Sequence, residues 1–426
     1  MKLLDPRSWL TSVGPALIVA AVVVGPGSIL ASSKVGAELG YEGIWIPVFF
    51  GFLLFTMVLL SARIGLAYER TPCGEIAFRL GRPVAIAIGI VLFLIIACFQ
   101  SSNNSAVIAG LEPLFESGEG ENKTSAPNWL PLTALIVTNL FALVALYGVR
   151  RLYGLVETLM KLLVGLMVAA FLVNCFLTKP SLVEAAKGLV PPVPDGLPPM
   201  VVQALIATTF SVAAAFYQAY LVRERGWTLA DTPRVQKDAA ISIGALAFIT
   251  IIIMMTSAAV FHGKTPPVTL KSAADVARQL EPLFGSWAKI VFSIGFFAGA
   301  FSSFLVNAII GGVILADGLG KGSHMGDKSA RHLTALALII GMLVAVIATA
   351  TGKNLVGVIV FAQALTVVGV PALALALIYL GTRKADRTGG CRVASPILLV
   401  FAWTGFAITL LLATRTVHGL WMKYLA

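Results

Sequence analysis

Two interruptions inside long apolar segments carry the candidate binding chemistry of this chain. Gly25-Pro26-Gly27-Ser28 breaks the first apolar segment, and Ser211-Val212-Ala213-Ala214-Ala215 breaks a later one in the corresponding half of the sequence. Paired breaks of this kind free backbone groups near the bilayer midplane, where secondary transporters build substrate sites. The candidate substrate-binding residues are therefore Gly25, Gly27, Ser28 and Ser211, joined by Gln363 from a late apolar span. Together they offer two hydroxyls, one amide and freed carbonyls, with no negative charge. A dehydrated divalent cation needs several O, N or S ligands and usually a carboxylate. Ser28, Ser211 and Gln363 are thus weak metal ligands, suited to a partly hydrated Mg²⁺ and poorly suited to Mn²⁺ or Fe²⁺. The first break also presents N–H groups, with a half-helix expected to begin at about Ser28–Ile29, and such a terminus favours an anion or carboxylate. Gly25 and Gly27 would let that ligand approach the backbone closely.

A second set of residues reads as pathway or gate. Gln100-Ser101-Ser102-Asn103-Asn104-Ser105 is the most polar run inside any span. Lipid would not tolerate it, so Asn103 and Asn104 should face the bundle or a water-filled path. Lys34 follows the first break, and Tyr217 and Gln218 follow the second. Glu157 and Lys161 stand four residues apart, the spacing of a helical ion pair, and read as a structural or gating pair. Plainer roles stand beside these. Gly25 and Gly27 suit helix packing or kinking, Ser28 and Ser211 can bond back to their own helices, Lys34 can snorkel to the interface, and Thr208, Thr209 and Tyr217 suit packing.

The elements that must hold these residues follow from composition. The chain has 426 residues, 58% hydrophobic and 12% charged, with a mean hydropathy of +0.92. Soluble domains carry about 25% charged residues, so an all-α integral membrane protein is expected. A helix needs about 20 apolar residues to cross the hydrocarbon core. That length predicts about eleven spans, near 11–37, 43–68, 83–111, 129–149, 153–177, 199–222, 239–262, 286–316, 333–351, 355–381 and 394–414. No linker between them is long enough for a soluble domain, so 1–426 reads as one transmembrane unit with membrane lipid as its surroundings. Asp5 and Arg7 interrupt the apolar start, which is expected to be a retained first helix and not a cleaved signal.

The net charge of +11 belongs to loops and not to a nucleic-acid surface. Arg150-Arg151, Arg223, Arg225, Arg234, Lys237, Arg383, Lys384, Arg387 and Arg392 fall on one side, which puts the N-terminus in the cytoplasm and the C-terminus outside. In a bacterium this would be the inner membrane. Cys73, Cys98, Cys175 and Cys391 are scattered without CxxC spacing, and the four histidines fall at segment ends or in loops. Neither set makes a metal site, and no cofactor is expected. No nucleophile–base pair lies within the spans, which argues against an enzyme.

Several segments in order resemble the Nramp family of proton-coupled divalent-metal transporters. These are Gly14-Pro15-Ala16-Leu17-Ile18-Val19-Ala20 followed by Pro26-Gly27, then Gly36-Ala37-Glu38-Leu39-Gly40-Tyr41, Leu280-Glu281-Pro282-Leu283-Phe284-Gly285 through Ser302-Ser303, and Gln363 with Pro371-Ala372-Leu373-Ala374. The resemblance implies a LeuT-like fold of two inverted five-helix repeats, about 9–177 and 199–381, with helices 1 and 6 broken and an extra helix about 394–414. Where the family has Asp-Pro-Gly-Asn, this chain has Gly25-Pro26-Gly27-Ser28; where it has Met-Pro-His, alignment places Ser211-Val212-Ala213. An Asp and a Glu that carry protons in the family's third helix align with Asn103 and Ala106, and a frequent Gln aligns with Lys34. The expected function is secondary-active transport through a remodelled site, as a monomer, with the family's proton route in doubt. Transport of hydrated Mg²⁺, transport of a small anion or polar solute, and a non-transporting sensor are the alternatives.

Overall fold

The computed structural model describes residues 25–115, 129–147, 150–191, 200–266, 268–385, 387 and 392–424, except the side chains of 112, 113, 115, 150–161, 420, 423 and 424. Its helices, in chain order, are α1 Pro26–Leu39, α2 Trp45–Ala67, α3 Pro72–Leu80, α4 Arg82–Phe115, α5 Trp129–Tyr147 and α6 Arg150–Thr178. A short α7 Leu182–Lys187 leads to α8 Met200–Thr209, α9 Val212–Glu224 and α10 Thr232–Phe261. Then follow α11 Ala273–Ala277, α12 Glu281–Phe284, α13 Ala288–Gly318, α14 Lys328–Ala350, α15 Leu355–Leu365, α16 Val370–Thr382 and α17 Pro396–Tyr424. Among the described residues, nine stretches are long and apolar enough to cross a membrane. Most expected spans coincide with a helix to within a few residues. The last is longer than expected, running to Tyr424, and the 11–24 half of the first lies outside the described residues, as does Cys391.

Burial separates lipid-facing from bundle-facing sides. Leu162, Leu166, Val173 and Phe176 of α6, Ile136 and Leu140 of α5, and Ile397 and Val400 of α17 are exposed, as suits side chains solvated by lipid tails. The polar run Gln100–Ser105 on α4 is entirely buried against neighbouring helices, the place its composition demands. Gln100 donates to the Phe304 carbonyl of α13, and Asn139 of α5 donates to Asn104 Oδ1 at 2.7 Å.

Two local features were not foreseen. The Thr71-Pro72 loop opens the amphipathic α3: the Thr71 hydroxyl accepts from Gly74 N at 3.2 Å, and proline at the first helical position forfeits no hydrogen bond. Its buried Glu75 pairs with Arg79 at 2.5 Å and Arg70 at 3.6 Å. The span expected at 355–381 is also interrupted, because a 3₁₀ turn, Thr366–Val368, separates α15 from α16. Gly369 and Pro371 explain it. Pro371 supplies no N–H to continue α15 and sits at the start of α16 instead.

Candidate functional site

The second break is real backbone geometry. α8 ends at Thr209, Phe210 N donates to Ile206 O at 2.7 Å, and Ser211 takes φ −76° and ψ 83° before α9 begins. Ser211 caps α9 without a side-chain hydrogen bond. Ala215 N is the first to reach back, to Ser211 O at 3.0 Å, so Ala213 and Ala214 keep N–H groups without an intrahelical acceptor.

At the first break the expected start is corrected. α1 begins at Pro26, two residues before the anticipated Ser28–Ile29, because extended Gly25 (φ −102°, ψ 178°) caps it and Pro26 takes the first helical position. Ile29 N reaches Gly25 O at 3.2 Å. The N–H groups left over at this terminus are those of Gly27 and Ser28.

These termini meet at one small cavity of about 10 Å³. Gly25, Gly27, Ser28, Ser211 and Gln363 line it, together with Asn103 and Phe99 of α4, Thr208 of α8 and Asn307 of α13. A volume of this order is about that of one water molecule's centre. Gln363 Nε2 donates to Ser102 Oγ at 2.8 Å, leaving Gln363 Oε1 without a partner. Asn103 Nδ2 and Thr209 Oγ1 are also buried without partners. Gly27 lets the Gln363 amide pack against the backbone: a Cβ on it would overlap Gln363 Nε2 and stand 2.6 Å from its Cδ, so the amide would have to shift. Among the described residues no three His, Cys, Asp or Glu side chains cluster where they could hold a metal.

The other candidates whose side chains are described lie off this cavity. Lys34 is half-buried on α1 beside Glu38, which shares its electrostatic surroundings, and it does not line the cavity. Asn104 bonds Asn139 and the Gln100 carbonyl. Tyr217 stacks on Tyr220 with ring centroids 5.9 Å apart. Gln218 is fully buried with neither amide atom partnered, away from the cavity. The Glu157 and Lys161 side chains lie outside the described residues. Asn307, Thr208 and Phe99 were not singled out from sequence. Asn307 carried the signal that drew attention to Gln363, an amide inside an apolar span.

Polar ties flank the cavity on both sides. Toward one end, Ser33 of α1 bonds Gln279 Nε2 at 3.0 Å, and Asn174 of α6 donates to Gln279 O at 2.6 Å. This pins the α11–α12 segment onto α1. Toward the other, Ser61 of α2 donates to Phe216 O at 3.1 Å and accepts from Ala219 N at 3.2 Å, while Arg223 Nη1 and Nη2 donate to the Tyr68 and Glu69 carbonyls at 2.7 and 2.6 Å. Chemically, the centre is a neutral, hydrogen-bonding chamber fed by two helix N-termini.

Solved structures share this architecture. A mutant of the Eremococcus coleocola manganese transporter superposes with a TM-score of 0.77 at 19% identity, covering 98% of this chain and 88% of that one. MhsT in complex with L-phenylalanine gives a TM-score of 0.59 at 17% identity, covering 93% and 98%. At such identities the likeness shows the fold alone. Among curated sequences, the divalent metal cation transporter MntH of Yersinia pestis (strain Pestoides F) is 24% identical over 310 residues, 72% of each chain. MntH of Pectobacterium carotovorum is 26% identical over 311 residues, again 72% of each. The profile of the natural resistance-associated macrophage protein-like family matches residues 16–418, so nearly the whole sequence is accounted for and the chain belongs to the Nramp family of secondary-active membrane transporters.

Proposed function

We propose that this chain is a secondary-active transporter whose central site is remodelled away from transition-metal ions. The observation that carries the reading is the cavity wall: hydroxyls, amides, glycines and one phenylalanine, with no carboxylate, imidazole, thiol or thioether among the described residues. A divalent ion stripped of water there would find neutral oxygens only, and no charge to balance its own. The cargo this wall suits is a small anion or neutral polar solute, held by the N–H groups of Gly27, Ser28, Ala213 and Ala214 and by Asn103 Nδ2. One observation favours a second cargo: Gln363 Oε1 is an unpartnered acceptor, and with the Ser28 and Ser211 hydroxyls it suits a Mg²⁺ ion that keeps its waters.

Both readings use a LeuT-like arrangement of two inverted repeats, about 9–177 and 199–381, followed by the α17 helix, with the N-terminus cytoplasmic and the C-terminus outside. The breaks before α1 and between α8 and α9 fall at corresponding places in the two repeats, which supports the arrangement.

The test is calorimetric titration of the purified protein with Mn²⁺ and with Mg²⁺, checked by uptake into proteoliposomes. Mn²⁺ is expected to give no saturable heat and no uptake. Saturable Mn²⁺ binding with uptake would overturn the remodelled-site reading. A response to Mg²⁺ alone selects the hydrated cation, and silence for both ions in folded protein selects the anion or polar solute.

A further inference from the structure

Two carboxylates are buried at the end of the bundle where α2, α9 and α13 finish, and only one of them makes an ion pair. Glu75 of α3 is paired with Arg79 and Arg70. Asp317, in the last turn of α13, is 7% exposed, and no basic side chain forms an ion pair with it among the described residues. Its Oδ2 instead accepts from Tyr220 Oη of α9 at 2.6 Å. The Thr71 side chain lies beside the carboxylate, and the Cys73 backbone N–H donates to Tyr220 Oη at 3.4 Å. The two guanidiniums nearest it act on it through their charge but direct their hydrogen bonds to carbonyl groups. Arg82, at the start of α4, donates to the carbonyls of Asp317 and Gly318 at 3.2 and 3.5 Å. Arg223 of α9 donates to the carbonyls that end α2.

We propose that Asp317 is a proton-binding residue that latches the second half of the broken helix. Ionised, the carboxylate holds Tyr220, and with it α9, against α13 and the start of α3. A proton on it turns a charge-assisted hydrogen bond into a neutral one of roughly half the strength, and α9 is released. Tyr220 lies eight residues beyond Val212 on the same half-helix whose N-terminus meets the cavity, so movement at the latch is delivered to the site. The proposal needs α9 to move during transport and is independent of the cargo.

The protein carries its own reporter. Cys73 is fully buried beside the latch, and burial followed by the neighbouring Asp317 charge pushes its thiol well above the ordinary range, which makes it unreactive while the latch holds. With Cys98, Cys175 and Cys391 replaced by serine in the full chain, Cys73 is the sole thiol. Its labelling by a water-soluble maleimide is followed from about pH 8 down to about pH 5.5, each rate divided by that of a cysteine peptide at the same pH. The normalised rate is expected to rise about tenfold on acidification, the difference between a charged and a neutral hydrogen bond. Asp317→Asn should label fast at every pH, and so should Tyr220→Phe, which keeps the ring and the carboxylate and serves if the first variant does not fold. A flat profile in the chain with native Asp317 and Tyr220, or a pH response that survives in either variant, would overturn the proposal.

Discussion

Replacing Gly65 by alanine is expected to lower the thermal midpoint of the purified protein by about 1–3 °C. Gly65 lies on α2 where that helix crosses α9. A Cβ added there would overlap the Ala219 carbonyl oxygen, with Val222 Cγ2 at 2.6 Å and Ala219 Cα at 2.8 Å. Two of these three atoms are backbone, so no rotamer change relieves the overlap. Ser61, one turn earlier, fixes the same seam through Phe216 O and Ala219 N, and the helices cannot separate without breaking those bonds. Overpacking of this kind costs about 1–3 kcal/mol and sometimes more. Gly244→Ala is the matched control: it lies on the exposed side of α10, and an added Cβ would meet nothing within 4 Å. Alanine there should hold or slightly raise the midpoint, since glycine inside a helix costs about 1 kcal/mol relative to alanine. Equal midpoints for the two variants, read by fluorescence-detected thermal unfolding, would mean that the α2–α9 seam is looser than these distances require.

The contrast also shows what the sequence disclosed and what it withheld. Hydropathy placed most helices because lipid demands long apolar runs, and the Ser211 break was visible from the family resemblance and from a serine, a favoured helix cap, inside such a run. The 3₁₀ turn at Thr366–Val368 was equally marked, by Gly369 and Pro371, but uninterrupted hydropathy concealed it. Gln363 stood out as a lone amide. Asn307 deserved the same inference, yet its arrival at the cavity depends on the rotation of α13, which spacing along one helix does not fix. Asp317 was hidden differently. In sequence it is an acid near a loop, and only the fold reveals that the nearby arginines bond carbonyl groups while Tyr220 bonds the carboxylate. Lys34, named from sequence as a pathway or gating residue, is half-buried on α1 and does not line the chamber.

The double substitution Gly25→Asp with Ser211→Met should create saturable Mn²⁺ binding where the native chain is expected to show none. Gly25 and Ser211 border the same cavity, so a carboxylate and a thioether placed there can reach one ion. The backbone tolerates the first change, because φ −102° and ψ 178° at Gly25 is extended geometry open to any residue. An aspartate in that position also caps α1 and faces its positive end, which stabilises the helix by about 0.5–2 kcal/mol. That cap competes with the metal for the new oxygens, so affinity should be moderate, with a Kd below about 1 mM. The methionine tests selectivity. Sulfur favours the softer ion, so adding Ser211→Met to Gly25→Asp should strengthen Mn²⁺ binding and leave Mg²⁺ unchanged or weaker. Calorimetry of the two single variants and the double variant separates these contributions. If the folded double variant gives no heat beyond the native chain, charge at the two breaks is not the missing ingredient, and a wider shell around Asn103, Asn307 and Gln363 sets what this chamber accepts.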